Sequence, residues 1–259
     1  MTEGVRLAKR VAELKGCSRR EAEQYIEGGW VKVDGQLVEV PAFRVARQAI
    51  AIDPGATLMT GGPVTVLLHK PAGYEAGLGD AGDGNGPRGS RSRGAPPALQ
   101  PLTPGAHAAN DTSGIRVLKK HFDGLTPLAP LPTEATGLAV FTQDWRVERK
   151  LTTDADGVEQ EVMAEVGGEV TPGQLQRLGH GLSFNDRPLP PIKVSVSSSS
   201  GTATRLRFAL KGIRPGQIPH MCESVGLRLL SLKRIRIGRV PLGQLAPGQW
   251  RYLLPQERF

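Results

Sequence analysis

Apolar residues at helical spacing open the chain. Leu7, Val11 and Leu14 recur along one side of residues 5–15, with Arg6, Lys9 and Arg10 off that stripe, which predicts a basic amphipathic helix. A second helix is predicted from Ser18, whose hydroxyl can cap the first turn while Glu21, three residues on, reaches back to the Ser18 amide. Ala22, Tyr25 and Ile26 form its apolar side, and Gly28-Gly29 end it. Residues 31–38 then alternate about Asp34-Gly35, a dipeptide suited to a tight hairpin turn, and residues 44–52 add a short strand.

Pro54-Gly55 and Gly61-Gly62-Pro63 mark a linker over 54–63. The next segment opens with the apolar strand Val64-Thr-Val-Leu-Leu and runs through His69-Lys70 into a turn. Residues 77–97 are of low complexity, with seven glycines in 21 positions and Arg88, Arg91 and Arg93 among serines. Such a stretch buries too little apolar surface to order itself, so a disordered insertion is expected over about 74–113, its arginines touching RNA at most loosely. Beyond residue 125, strands are predicted at 137–142, 158–166, 205–210 and 229–237. Helices are predicted at 145–151, from Thr171 with Pro172 in the first turn, and at 218–225. The fold class is α+β: a small N-terminal module of helices plus a hairpin (1–53), then a mixed, mainly antiparallel sheet domain with flanking helices (64–259).

Charge adds a partner to this picture. The chain has 259 residues and a formal net charge of +8. Residues 205–259 carry eleven Lys or Arg against two Asp or Glu, while residues 1–60 are nearly balanced. A basic balance this local points to a polyanion, with nucleic acid the first expectation. Cys17 and Cys222 are too far apart in sequence for metal spacing and too few for a disulfide framework. The N-terminal stretch has no apolar segment of a signal peptide, and no run approaches a membrane span. A cytoplasmic protein without membrane contact is expected.

Two basic helices closing on Gly29-Trp-Val-Lys-Val-Asp-Gly35 resemble the RNA-binding module first named for a bacterial small-subunit ribosomal protein. That resemblance implies backbone contacts from Lys9, Arg10, Arg19, Arg20 and Lys32. Four later stretches resemble the RsuA/RluF group of bacterial ribosomal pseudouridine synthases. They are His69-Lys-Pro-Ala-Gly73, Thr136-Gly-Leu-Ala-Val-Phe-Thr-Gln-Asp144, the helix from Gln217 to Gly226, and Leu232-Lys-Arg-Ile-Arg-Ile-Gly238 with Leu245 to Arg251. The resemblance implies binding of ribosomal RNA, by a monomer, and isomerisation of a uridine withdrawn from its stack. It implies an attacking Asp, a Tyr packed on the base, a basic partner for the Asp, and no metal or organic cofactor.

The chain departs from the family where that chemistry resides. Counting back from Gly137-Leu138 puts Pro132 at the Asp and Pro130 at the preceding Arg. Val162 stands at the Tyr, and Pro219-His220 at an Arg pair. Glu134 is the nearest acid that could substitute; its alternative is a solvated loop carboxylate. Asp144 reads as a turn or capping residue. His220 reads as a replacement for an arginine or a surface histidine. Lys70, His220, Lys233, Arg234 and Arg236 join the RNA-contacting candidates, with Arg234 and Arg236 expected on one strand face and Lys233 on the other. Three readings follow: an RNA-binding protein that has lost the catalytic Asp and Tyr, which the missing groups favour; an active isomerase with a relocated acid, Glu134; and a basic protein-interaction module.

Overall fold

The structure, a computed structural model, describes residues 4–58, 62–76 and 95–259. The chain divides into two compact units: residues 1–64 with 115–124, and residues 65–114 with 125–259.

In the first unit, helices α1 (Leu7–Lys15) and α2 (Arg19–Glu27) bury Leu7, Val11, Ala22, Tyr25 and Ile26 in a common core. Leu14, expected on that stripe, is 57% exposed, so the buried side of α1 ends one turn earlier. Ser18 accepts from the Glu21 amide while the Glu21 carboxylate accepts from the Ser18 amide, the reciprocal cap read from the sequence. Strands β1 (Val31–Val33) and β2 (Gln36–Leu37) meet through Asp34-Gly35, both at positive φ, and β3 (Ile50–Ile52) pairs with β1. The segment expected as one strand over 44–52 is split. Arg44–Val45 pairs with Val5–Arg6, and only Ile50–Ile52 joins the hairpin.

Residues 115–124 return to this unit as a strap. The Arg116 guanidinium lies 4.2 Å from the centre of the Trp30 ring, donates to the Gly29 carbonyl at 2.5 Å and stands 3.6 Å from the Asp53 carboxylate. Glu39 accepts from the Lys119 amide at 2.8 Å.

The second unit is built on a nine-stranded sheet. Its strands are β4 (Thr65–Lys70), β5 (Thr126–Leu128), β6 (Thr136–Thr142), β7 (Glu159–Gly167), β8 (Lys193–Ser199), β9 (Ala203–Lys211), β10 (Leu229–Ile237), the two-residue Val240–Pro241 and β11 (Trp250–Tyr252). The order is β8-β9-β7-β10-β6-β4-β11, with β5 beside β6 and Val240–Pro241 beside β10. Every pairing is antiparallel except β10 with β6. The parallel pair meets where Gly137 has φ +109, and a Cβ there would lie 2.2 Å from the Arg234 carbonyl oxygen, so only glycine fits.

Helices α3 (Trp145–Thr152), α4 (Pro172–Gly179) and α5 (Gln217–Ser224) flank the sheet. Leu178 of α4 and Ile218, Met221 and Cys222 of α5 bury Val162, Ala164, Leu206 and Phe208. Strand β8 went unpredicted because Lys193-Val-Ser-Val-Ser-Ser-Ser199 is polar and largely exposed, leaving no apolar pattern to read.

The disorder expected over about 74–113 is corrected in part. Residues 77–94, including Arg88, Arg91 and Arg93, lie outside the described residues. Residues 74–76 and 95–113 are ordered, with Ala76, Ala98, Leu102 and Ala108 buried. Polar bonds supply what composition does not. Trp250 donates from Nε1 to the Thr103 carbonyl at 2.7 Å, and the Asp111 carboxylate accepts from the Tyr252 amide at 2.8 Å and from the Ser113 amide at 2.7 Å. His107 reaches the same carboxylate at 2.8 Å and stacks on Trp250. Burial pushes the Asp111 pKa up, but these bonds outweigh it and leave the group below its ordinary value.

Candidate functional site

Residues 129–135 form the loop that enters β6, and it is held from several sides. Ala135 donates to the Pro132 carbonyl, Leu131 to that of Ala76, and Gly73 to that of Thr133. Lys70, at the end of β4 and fully buried, donates from Nζ to Pro71 at 3.0 Å, Tyr74 at 2.7 Å and Thr133 at 3.2 Å, all carbonyls. Arg234, 3% exposed, donates to the carbonyls of Leu138 (2.8 Å), Ala129 (2.7 Å) and Pro130 (3.3 Å) and to Gln160 Oε1 (3.2 Å).

Two buried cations therefore converge on the loop that carries Pro132. Among the described residues neither forms an ion pair. Desolvation lowers the Lys70 pKa to about 8, opposed by the charge of Glu134. Desolvation also lowers that of Arg234 to about 9, still high enough to keep it charged at neutral pH. Buried charges are ordinarily paired, and here dipoles do the compensating.

The other positions are as follows. Pro132 is half-buried and Glu134 exposed. Val162 is buried in the apolar core beneath α5. Pro219 sits in the first turn of α5, and His220, exposed, has Nε2 at 3.2 Å from the Ser183 carbonyl with its ring edge-on to Phe184. Asp144 caps α3, accepting from the Arg146 amide at 2.9 Å. His69 is buried, its pKa lowered by desolvation, and its Nδ1–H donates to the Leu245 carbonyl at 2.6 Å.

Two RNA-contacting expectations are corrected: Lys70 and Arg234 are buried and engaged with backbone, so they are not surface cations. The expected common face of Arg234 and Arg236 is corrected too. A bulge between them shifts the register, so Arg234 pairs with Val162 but Arg236 with Glu161, on opposite faces. Arg236 instead bonds Glu159 at 2.5 Å and Glu161 at 2.7 Å. Lys233 is half-buried on that same face. In the first unit Lys9, Arg10, Arg19, Arg20 and Lys32 are all exposed, with Arg10 paired to Glu13 and Arg19 to Glu23. The sequence reading missed Gln160, which shares Arg234, and Arg205 and Arg207 of β9. The alternation of Arg205, Leu206, Arg207 and Phe208 carried the signal for the latter.

Among the described residues no group of three or more His, Cys, Asp or Glu is placed to hold a metal, and no helix is long and apolar enough to cross a membrane.

Residues 5–50 match the S4 domain. An uncharacterized RNA pseudouridine synthase of Aquifex aeolicus is 25% identical over 255 residues, covering 96% of this chain and 90% of the relative. The ribosomal small subunit pseudouridine synthase A of Escherichia coli is 26% identical over 261 residues, covering 98% of each. A crystal structure of a pseudouridylate synthase shares the fold, with TM-score 0.54 and 20% identity over 96% of each chain. An S4 domain ahead of this mainly antiparallel sheet gives the chain the fold of that pseudouridylate synthase. Over nearly its whole length the chain is similar to ribosomal small-subunit pseudouridine synthases of the RsuA type.

Proposed function

We propose that this chain binds ribosomal RNA in the cytoplasm, as a monomer and without a cofactor, and does not isomerise uridine. The observation that carries the reading is the set of partners around Arg234. In the family a basic residue pairs with the Asp; here a buried guanidinium is satisfied by three backbone carbonyls and an amide, beside a loop with proline at the Asp position. Val162 at the Tyr position offers an aliphatic core contact in place of a stacking ring. RNA contact rests on the S4 match and on the exposed Lys9, Arg10, Arg19, Arg20 and Lys32.

One observation favours a second reading, an active isomerase: Glu134 is exposed and its charge acts on the Lys70 ammonium. A carboxylate two residues out of place is expected to cost about 10²-fold or more in rate. Incubation with unmodified small-subunit rRNA, followed by mapping of pseudouridine, separates the two. No product is expected. Product that disappears in Glu134→Ala would establish the second reading instead.

A further inference from the structure

The outer half of the sheet has one face covered and one open. Val162, Ala164, Leu206 and Phe208 point into the core under α4 and α5, so the alternate residues of β7 and β9 point the other way. Register extends this open face to β8, where Ser195 lies opposite Arg207, and to β10, where Lys233 lies opposite Met163 and Arg236 opposite Glu161. The face carries six cations, Lys193, Arg205, Arg207, Lys211, Lys233 and Arg236, against the three carboxylates Glu159, Glu161 and Glu165, a net charge of +3.

The charges are organised. Arg205 stands 3.4 Å from Glu165, Arg207 is bonded to Glu161, and Arg236 bridges Glu159 and Glu161. These rungs fix the three arginines across strands before any partner arrives, which lowers the ordering cost of binding. Lys193, Lys211 and Lys233 form no ion pair among the described residues, so the unneutralised charge is theirs.

We propose that this open face is a second RNA-contacting surface, taking the sugar-phosphate backbone of the RNA that the S4 domain engages. The chemistry selects backbone rather than bases, because none of the residues named on it is aromatic and base stacking needs a ring. Ser195 and Ser198, on the same face, supply hydroxyl donors for phosphate oxygens. A protein partner fits poorly: Met163 and Ala209 are its apolar residues, whereas protein interfaces have an apolar or aromatic centre.

The proposal rests on the RNA-binding reading, and one titration series tests the two apart. The full chain is titrated with a small-subunit rRNA transcript across salt, alongside the triple variants Lys193→Gln/Lys211→Gln/Lys233→Gln and Lys193→Arg/Lys211→Arg/Lys233→Arg. All three lysines are at least partly exposed, so folding is expected to survive, as thermal melting checks. The glutamine variant is expected to bind about tenfold or more weakly near physiological salt. Its log–log salt slope should fall by about 2–3, at roughly 0.9 per lost phosphate contact. The arginine variant should keep the wild-type slope. A glutamine variant with wild-type affinity overturns the proposal, as does a weakened variant with an unchanged slope; both leave RNA binding itself standing. A wild-type chain that binds no RNA at any salt overturns the RNA-binding reading.

Discussion

Lys70 couples the stability of this scaffold to pH. It is fully buried against three carbonyls, and burial lowers its pKa to about 8 from an ordinary 10.5. Between those values the unfolded chain holds a proton that the folded chain has released, so folding stability attributable to this group rises with pH over about 8 to 10.5. Below pH 8 the full cost of a buried ammonium is present. Lys70→Met removes the titration, so the stability of wild type relative to the variant is expected to rise from pH 8 to 10. Denaturant unfolding at stepped pH measures it, and a constant difference would show that Lys70 does not titrate in that window. Arg234 was read as a surface cation because composition treats every arginine as solvated. Its burial depends on carbonyls of residues about a hundred positions earlier, which no local pattern reveals. Gly137, by contrast, was legible in its motif, and the close approach to the Arg234 backbone requires it.

Among the elements, those with strong local signals were legible. The Ser18–Glu21 cap, the Asp34-Gly35 turn, the helix after Thr171 and the apolar β6 all stand where the sequence puts them. What the sequence hid depends on distant partners. Residues 95–113 order through Asp111 and Thr103, which answer the far end of the chain, and the bulge in β10 turns Arg236 away from Arg234. The strap of residues 115–124 is the clearest case. Arg116 lies over Trp30 and bonds Gly29, so it ties chain that follows the β4 strand back onto the S4 domain. Arg116→Ala is expected to destabilise that unit by about 1–2 kcal/mol, less than the full sum of a cation–π contact and a charged hydrogen bond because the side chain is half-exposed. Equilibrium unfolding followed by Trp30 fluorescence checks this. An unchanged midpoint would make the strap an incidental contact.

The molecule as a whole joins an S4 domain with exposed cations to a sheet domain in which, on the proposed reading, proline and valine stand at the acid and ring positions. Binding by charge predicts a steep loss of RNA affinity from low to moderate salt, read by anisotropy of a labelled transcript. A flat response would remove charge as the basis of binding. The two ends of the sheet differ in a way that bears on how such a protein survives at high concentration. At β11, His107 bridges to Trp250 and the Asp111 carboxylate takes the Tyr252 amide, so backbone groups that a neighbouring chain would seek are already engaged. The opposite border, β8, is exposed, but it presents Lys193 and a run of serines with a register irregularity near Ser198. A hydrated, irregular border is a poor template for adding another strand. Strand addition is thus disfavoured by residues 95–113 at one border and by sequence at the other. Loosening residues 95–113 would therefore show first as aggregation.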